Sequence, residues 1–323
     1  MYICVLSSPP DPDDLPYDPS AYFTNYHWEH FTPHYLQYQD EIKQLIEKGV
    51  DVFVNLCDGT PDDELSGIGL VTYLEECGVA FTGANSAFFD PTRFEMKTAA
   101  QQAGVPIPGS LFINSLEDLE NFDSQLKYPL LVKPPHGYAS IGLTRASRVM
   151  NFAEVETQTR LMVARFGGAL IEEFIEGREF TTLIAENPSD PTQPVAFQPV
   201  EFRFPAGESF KHYDMKWKEY EHMSVYPVDD PQVDAQLREL TRRQFVAMQG
   251  NGYARCDFRM NAQGELFLLE INPNCGIFYP PHEPGSADFI LLNDPRGHAG
   301  FLDLILRGAM KRQKTKIKEN RAN

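Results

Sequence analysis

Tyr253-Ala-Arg-Cys-Asp-Phe-Arg-Met260, the polar turn Asn261-Ala-Gln-Gly264 and Glu265-Leu-Phe-Leu-Leu-Glu-Ile-Asn272 carry charged groups at spacings that could act together. Two apolar-rich runs around a short turn with Gly predict a β-hairpin. With Met260 opposite Glu265, Arg255 lies across from Glu270 and Asp257 across from Leu268. Side chains alternate between faces, so Arg255, Asp257, Glu270 and Asn272 share one face while Phe267, Leu269 and Ile271 take the other. Two carboxylates, an amide and a guanidinium on one face suit a hard, oxygen-loving cation such as Mg²⁺, with substrate phosphates completing its octahedron. An exposed hairpin face with an Arg255–Glu270 cross-strand pair, worth under about 1 kcal/mol, fits the same spacing equally well. A one-residue slip would put the two acids on opposite faces, so the reading depends on register.

The elements around this hairpin alternate between strand and helix signals, the pattern of an α/β layered chain. Apolar strands are expected at 2–6, 50–56 and 79–82, with helices at 36–48 and 68–76 closed by Gly49 and Gly78. Thr92-Arg-Phe-Glu95 has capping-box form and opens a helix bearing Lys97, stopped by Gly104 and Val105-Pro-Ile-Pro108. Pro129–Lys133 reads as a strand ending in a lysine, before the Gly-containing loop Pro134–Gly142 that includes Ser140. Such a loop permits close backbone approach to a ligand and equally suits an ordinary turn. A helix at 152–166 ends in Gly167-Gly168, where a boundary is expected, followed by strands at 169–174, 179–185 and 195–201. Residues 203–223 form a long polar and aromatic loop carrying Lys211, Lys216 and Trp217. A loop of that length in a compact domain is usually functional or disordered.

The chain has 323 residues with 28 Lys and Arg against 46 Asp and Glu, a formal charge of −18. That sign excludes the cationic face that nucleic-acid and polybasic membrane binders need, so neither partner is expected. No run approaches the roughly 18 apolar residues of a membrane helix, and no basic stretch precedes the first apolar run. Five cysteines with no C-x-x-C pair suggest neither a disulfide framework nor a zinc knuckle, and a reducing cytoplasm is expected. The tail 311–323 carries six basic residues against one acid and reads as a solvated, frayed end, with a weak docking or self-association role as the alternative. His27, His30 and His34 have spacing that could suit a metal on a helix, although Pro33 and the absence of a carboxylate in register speak against it.

Lys97 on a capped helix, Lys133 before a Gly-containing loop, Ile171-Glu-Glu-Phe-Ile-Glu-Gly-Arg-Glu-Phe180, Arg255-Cys-Asp257 and Leu268-Leu-Glu-Ile-Asn-Pro-Asn274 occur in the order and spacing of the ATP-grasp ligases. The chain resembles most the D-alanine–D-alanine ligase branch, over roughly residues 50–310. The resemblance implies an α/β (α+β) ATP-grasp fold: a Rossmann-like pre-ATP-grasp domain over 1–90, a central ATP-grasp subdomain over 91–168, a C-terminal one over 169–310 and the basic tail 311–323. It implies ATP and Mg²⁺ (or Mn²⁺) as cofactors. Lys97, Lys133 and Ser140 would meet the phosphates, Glu172 and Phe174 would line the adenine slot, and Glu179 would bind the ribose. Asp257, Glu270 and Asn272 would carry the metal, while Arg255, the Gly276 N–H and Lys216 would stabilise developing charge. Phosphoryl transfer to a carboxylate brings two anions together, which is why such a site needs lysines and a metal.

The implied activity is ADP-forming carboxylate–amine ligation through an acyl phosphate, with small-molecule carboxylate and amine substrates; a homodimer is compatible with it. Asp58-Gly59 stands where the family has His-Gly, Tyr138-Ala139 where it has Gly-Ser, and Tyr279-Pro-Pro281 where it has a serine. An amino-acid-like substrate other than D-Ala–D-Ala is therefore expected. A non-catalytic ATP-binding regulatory protein of the same fold is the alternative, and the intact set Arg255, Asp257, Glu270 and Asn272 argues against it. Cys275 beside that set has no His partner and reads as small filler rather than a nucleophile.

Overall fold

In the computed structural model, all residues are described except 11–16, 60–63, 122–125, 137–139, 218–222 and 323; for 120, 121, 216, 217, 317 and 319–322 the backbone alone is described. Tyr138 and Ala139 thus lie outside the described residues. Strands β1 (Tyr2–Ser7), β2 (His27–Phe31), β3 (Val52–Leu56) and β4 (Ala80–Phe81) form a parallel sheet in the order β2-β1-β3-β4. Helices α1 (Tyr38–Glu47) and α2 (Gly67–Cys77) connect them. β2 accords with the argument against a helical histidine site: His27 and His30 stand on a strand paired with β1, and His34 lies beyond it. Aromatic packing drives this, with Phe23 against Trp28 at 5.4 Å, and pairing with β2 satisfies the second edge of β1.

Helix α3 (Arg93–Gln102) opens at Thr92, whose Oγ1 accepts from the Glu95 N–H while the Thr92 N–H donates to Glu95 Oε2, completing the capping box. The central sheet has the order β5-β8-β6-β7, from β5 (Ser110–Ile113), β6 (Leu130–Lys133), β7 (Arg148–Val149) and β8 (Ala169–Glu173). Helix α4 (Phe152–Phe166) starts at Asn151, whose side chain accepts from the Glu154 N–H. Because β8 pairs with both β5 and β6, the boundary expected at 168 falls after Glu173 instead, before β9. Ile113, Leu130, Val132, Val155, Met162 and Ile171 give this subdomain a core of its own.

The third sheet runs β12-β11-β9-β13-β14, with β10 also on β9. It comprises β9 (Arg178–Ala185), β10 (Val195–Ala196), β11 (Val200–Arg203), β12 (Ser224–Pro227), β13 (Tyr253–Met260) and β14 (Leu266–Pro273). The strand expected at 195–201 is split, since Pro199 has no N–H to give a ladder. The loop at 203–223 contains the short helix α5 (Tyr213–Trp217). Helix α6 (Pro231–Ala247) packs its Phe245 on Phe88 of the N-terminal region at 5.6 Å. The N-terminal sheet and the third sheet thereby share one continuous core, the central subdomain keeps its own, and a cleft lined by Arg148 and Phe174 on one side and Arg178, Glu201 and Arg259 on the other lies between the central and third sheets.

Helix α7 (Ser286–Asn293) leads to α8 (Gly297–Ala322), which corrects the frayed-tail reading. Three basic residues of this stretch, Lys311, Arg312 and Lys316, dock the helix. Arg312 donates to the Phe81 carbonyl at 2.6 Å and pairs with Glu186, and Lys316 Nζ donates to the Glu75 carbonyl at 2.6 Å. These three cations answer carbonyls and an acid belonging to two other parts of the fold. In Arg312→Ala the partly buried Glu186 loses its cation, so a loss of about 1–3 kcal/mol is expected in urea unfolding, smaller on a Glu186→Gln background. An unchanged unfolding midpoint would contradict this role for the tail.

Candidate active site

The hairpin of β13 and β14 differs in register from expectation, and the difference explains how the site forms. Met260 pairs with Leu266 rather than Glu265, because the turn uses Asn261 as a paired residue and Gly264 at φ +82°. That one-residue shift alone would separate the acids. A second shift follows at a β-bulge: Phe258 pairs with Leu268, yet Asp257 pairs with Glu270, leaving Leu269 unpaired. The two odd shifts cancel in parity. Leu266, Leu268 and Ile271 therefore enter the core while Glu270 and Asn272 turn to the face of Arg255 and Asp257. Arg255 stands opposite Asn272, and the cross-strand Arg255–Glu270 pair does not form.

Arg255 instead grips Asp257 on its own strand, Nε to Oδ1 at 3.0 Å and Nη2 to Oδ2 at 2.9 Å. Asp257 also accepts from Thr181 Oγ1 of β9 at 2.6 Å and from Asn272 Nδ2 at 3.1 Å. Burial pushes the Asp257 carboxyl up, but the Arg255 guanidinium, the Lys211 ammonium and the Thr181 hydroxyl outweigh it and hold the group at about 2. Glu270 is met by Arg93 at 2.7 Å, which likewise overcomes burial and lowers its pKa.

Arg93 and Lys97 are four residues apart on α3 and so project from one side of it. Lys97 Nζ lies 2.9 Å from Glu172 Oε2 of β8, and Lys133, at the end of β6, pairs with Glu172 Oε1. All three side chains are 7% exposed or less. This corrects one expectation: both oxygens of Glu172 face ammonium groups, so it does not line an open adenine slot. Burial raises the Glu172 pKa, yet Lys133 and Lys97 bring it down to about 2. Lys133 is itself lowered to about 8, first by burial and then by Arg93 and Lys97, against the opposing pull of Glu172. A carboxylate shared by two lysines beside a third cation leaves the cluster with surplus positive charge.

Phe174 sits at the hinge between the central and third sheets, its ring centroid 4.7 Å from the Arg148 guanidinium and 4.6 Å from that of Arg259. Glu179 accepts from Arg259 Nη1 at 3.1 Å and lies 3.5 Å from Lys211 Nζ. Ser140, at φ +60°, donates to the Lys211 carbonyl at 3.0 Å, and the Tyr213 N–H donates to the Leu143 carbonyl at 3.1 Å. The Gly-containing loop and the segment leading into α5 are thus fastened together across the cleft. Lys216 is on α5, but its side chain lies outside the described residues. Gly276 is exposed in the loop after β14, where a Cβ would press on the Tyr279 ring. Burial pushes the Cys275 thiol up to about 12, which suits filler and not a nucleophile.

The family model described as D-ala D-ala ligase C-terminus matches residues 101–279. The chain belongs to that family. It is 28% identical over 247 residues to D-alanine–D-alanine ligase B of Chromobacterium violaceum, covering 73% of this chain and 74% of that one. In fold it is similar to the D-alanine–D-alanine ligase of Coxiella burnetii, with a TM-score of 0.72 at 16% identity over 100% and 97% of the two chains. It is equally similar in fold to the Bacillus anthracis ligase complexed with ATP, with a TM-score of 0.72 at 18% identity over 98% and 99%. The protein is an ATP-grasp ligase, ADP-forming and dependent on ATP and Mg²⁺.

The residues of this ligase fit such a metal. Asp257, Glu270 and Asn272 offer oxygens alone, and no group of three or more His, Cys, Asp or Glu among the described residues forms an all-protein cage. Two carboxylates and an amide leave positions for phosphate oxygens, as Mg²⁺ prefers. Sequence reasoning missed Arg93, Lys211, Thr181 and Arg259. Arg93 was legible from its place one turn before Lys97, and Arg259 from its place two residues after Asp257. Lys211 and Thr181 carry no periodic signal.

The lowered carboxylates make stability depend on acid pH. A group depressed in the folded state stabilises above its unfolded pKa and loses that contribution as pH falls through the folded value. For Glu172, with ordinary and folded values of 4.5 and about 2, the unfolding free energy should drop by roughly 3 kcal/mol between pH 5 and 2. Urea titrations across that range check it, and a flat profile would contradict the buried triad.

Proposed function

We propose that the cleft between the central and third sheets holds ATP with its phosphates on Lys97 and Lys133, and that a substrate carboxylate is activated there as an acyl phosphate for attack by an amine. The observation that carries this reading is the surplus of buried positive charge, in which Lys97, Lys133 and Arg93 face Glu172 and Glu270. Cations held that tightly out of water with too few anions suit a polyanionic ligand. The D-alanine–D-alanine ligases among the relatives supply the reaction class, and the substrate of this chain is assigned as amino-acid-like.

Each residue has a part in that chemistry. Glu172 positions the two lysines, one from a helix and one from a strand end. Phe174 walls the adenine side, and Glu179, oriented by Arg259 and Lys211, accepts the ribose hydroxyls. Asp257, Glu270 and Asn272 would hold Mg²⁺, which neutralises phosphate charge when bound. Arg255 keeps two of its donors on Asp257, leaving Nη1 for an oxygen that gains charge as the amine attacks. Lys216 and the Gly276 N–H are assigned, with Arg255, to that developing charge, and Ser140 ties the phosphate-side loop to the segment before α5.

Removing the Lys133 ammonium deletes a charge-assisted contact worth roughly 1.5–3 kcal/mol, so Lys133→Ala should bind ATP about ten- to a hundred-fold more weakly. Fluorescent-nucleotide titration measures this, and unchanged affinity would overturn the assignment. Amine-dependent ADP release with ATP, Mg²⁺ and pooled amino acids tests the activity, and ADP release that no amine accelerates would count against ligation.

A further inference from the structure

A crevice at the carboxyl ends of β1 and β3 has no part in the nucleotide chemistry above. In the order β2-β1-β3-β4 the chain leaves β1 in one direction to form β2 and crosses to the other side to form β3. The gap beyond β1 and β3 is therefore a topological switch point, where open parallel sheets take ligands. Asp58 lies two residues past β3 and is exposed. Its Oδ1 accepts from Ser8 Oγ at 2.7 Å and its N–H donates to the same oxygen at 3.0 Å, which fixes the carboxylate's direction. Among the described residues, Oδ2 has no hydrogen bond. Beside it, Ser7 Oγ meets His30 Nε2 at 2.8 Å, and the His30 ring lies 5.9 Å from that of Tyr17.

The opposite wall comes from the loop after β14. Tyr17 and Tyr279 meet edge to face at 6.1 Å, while the Tyr17 hydroxyl donates to the Ile277 carbonyl and the Tyr22 hydroxyl to the Tyr279 carbonyl. Buried Asp288 fixes the same loop from behind, accepting from the N–H groups of Phe278 at 2.9 Å and Gly285 at 3.0 Å. The wall is thus rigid and aromatic. Burial lowers the His30 pKa, leaving the imidazole neutral near pH 7, so Asp58 and the neighbouring Asp18 make the crevice negative. Aromatic faces around a fixed carboxylate favour a cation.

The crevice is joined to the cleft. Asn274 Nδ2 donates to the Cys57 carbonyl at 3.1 Å, next to Asp58, and Asn274 is two residues beyond Asn272. Asn274 lies just past the end of β14 and turns at φ +47°, so the loop that leaves the Asn272 end of the positive cleft is tied directly beside Asp58 of the negative crevice. A molecule that reaches both has its reacting carboxylate at the Arg255 side and a cationic group at the end of an extended side chain.

We infer that this ligase acts on a basic amino acid, whose side-chain ammonium or guanidinium is held by Asp58 between the Tyr17, Tyr279 and His30 rings. The inference rests on the ligase reading of the adjoining cleft, and binding separates the two. Calorimetric titration of the full chain with D- and L-lysine and D- and L-arginine, against norleucine of either hand, is the direct test. At least one basic amino acid should bind about tenfold or more tighter than norleucine. Asp58→Asn should abolish that preference, and Asp58→Glu should restore part of it, with ATP affinity unchanged in both variants as the control for folding. Equal or tighter binding of norleucine, no binding of any basic amino acid, or a preference that survives Asp58→Asn would overturn the inference. Absence of amine-dependent ADP release alongside an Asp58-dependent preference would count against the ligase reading and leave the basic ligand standing.

Discussion

Two cations one helical turn apart reach carboxylates on two different sheets, and the geometry of the cleft depends on that bridge. Arg93 holds Glu270 of the third sheet and Lys97 holds Glu172 of the central sheet, so α3 sets where the two sheets stand relative to each other. The capping box at Thr92 fixes where the helix begins and hence the side from which both cations project. Lys133 completes the arrangement from the end of β6. Since breaking a buried pair strands a charge out of water, the cluster resists rearrangement, yet its surplus of cations leaves it incomplete as a purely internal network.

A second constraint is parity. A hairpin that simply alternated would have separated Asp257 from Glu270 after the one-residue shift at its turn. The unpaired Leu269 restores the match, and the same bulge returns Ile271 to the core. The face that carries Asp257, Glu270 and Asn272 is therefore a consequence of two local irregularities that compensate, both close to the residues they serve. Edge irregularities of this kind re-aim side chains at little cost to the ladder on either side.

Much of the fold was legible because its signals are local. The capped helix at Thr92, the helix at 152–166 with Asn151 before it and Gly167 after it, and the lysine closing the strand 130–133 each follow from residues a few positions apart. The joint occurrence of Lys97, Lys133, Asp257, Glu270 and Asn272 pointed to a single candidate site. What stayed hidden was non-local. No spacing shows that Glu172 sits between two lysines rather than beside a base, or that Arg312 of the tail answers the carbonyl of Phe81 and the acid Glu186. The strand at 27–31 was obscured because the spacing of His27, His30 and His34 also suits a helix. The bulge was invisible because Leu269 is an ordinary strand residue, distinguished only by what its neighbours must face.

If the buried cationic surplus exists to receive phosphate, nucleotide binding must change the protonation of Lys133. Held at about 8 in the free protein, its ammonium is largely deprotonated at pH 8.5, and a bound anion would draw the proton back. Calorimetric titration of Mg²⁺–ATP at pH 8.5, in buffers of different ionisation enthalpy, counts protons taken up. A substantial fraction of a proton should be taken up per ATP, shrinking toward zero at pH 6.5 and absent in Lys133→Ala. A binding enthalpy independent of buffer at pH 8.5 would contradict it.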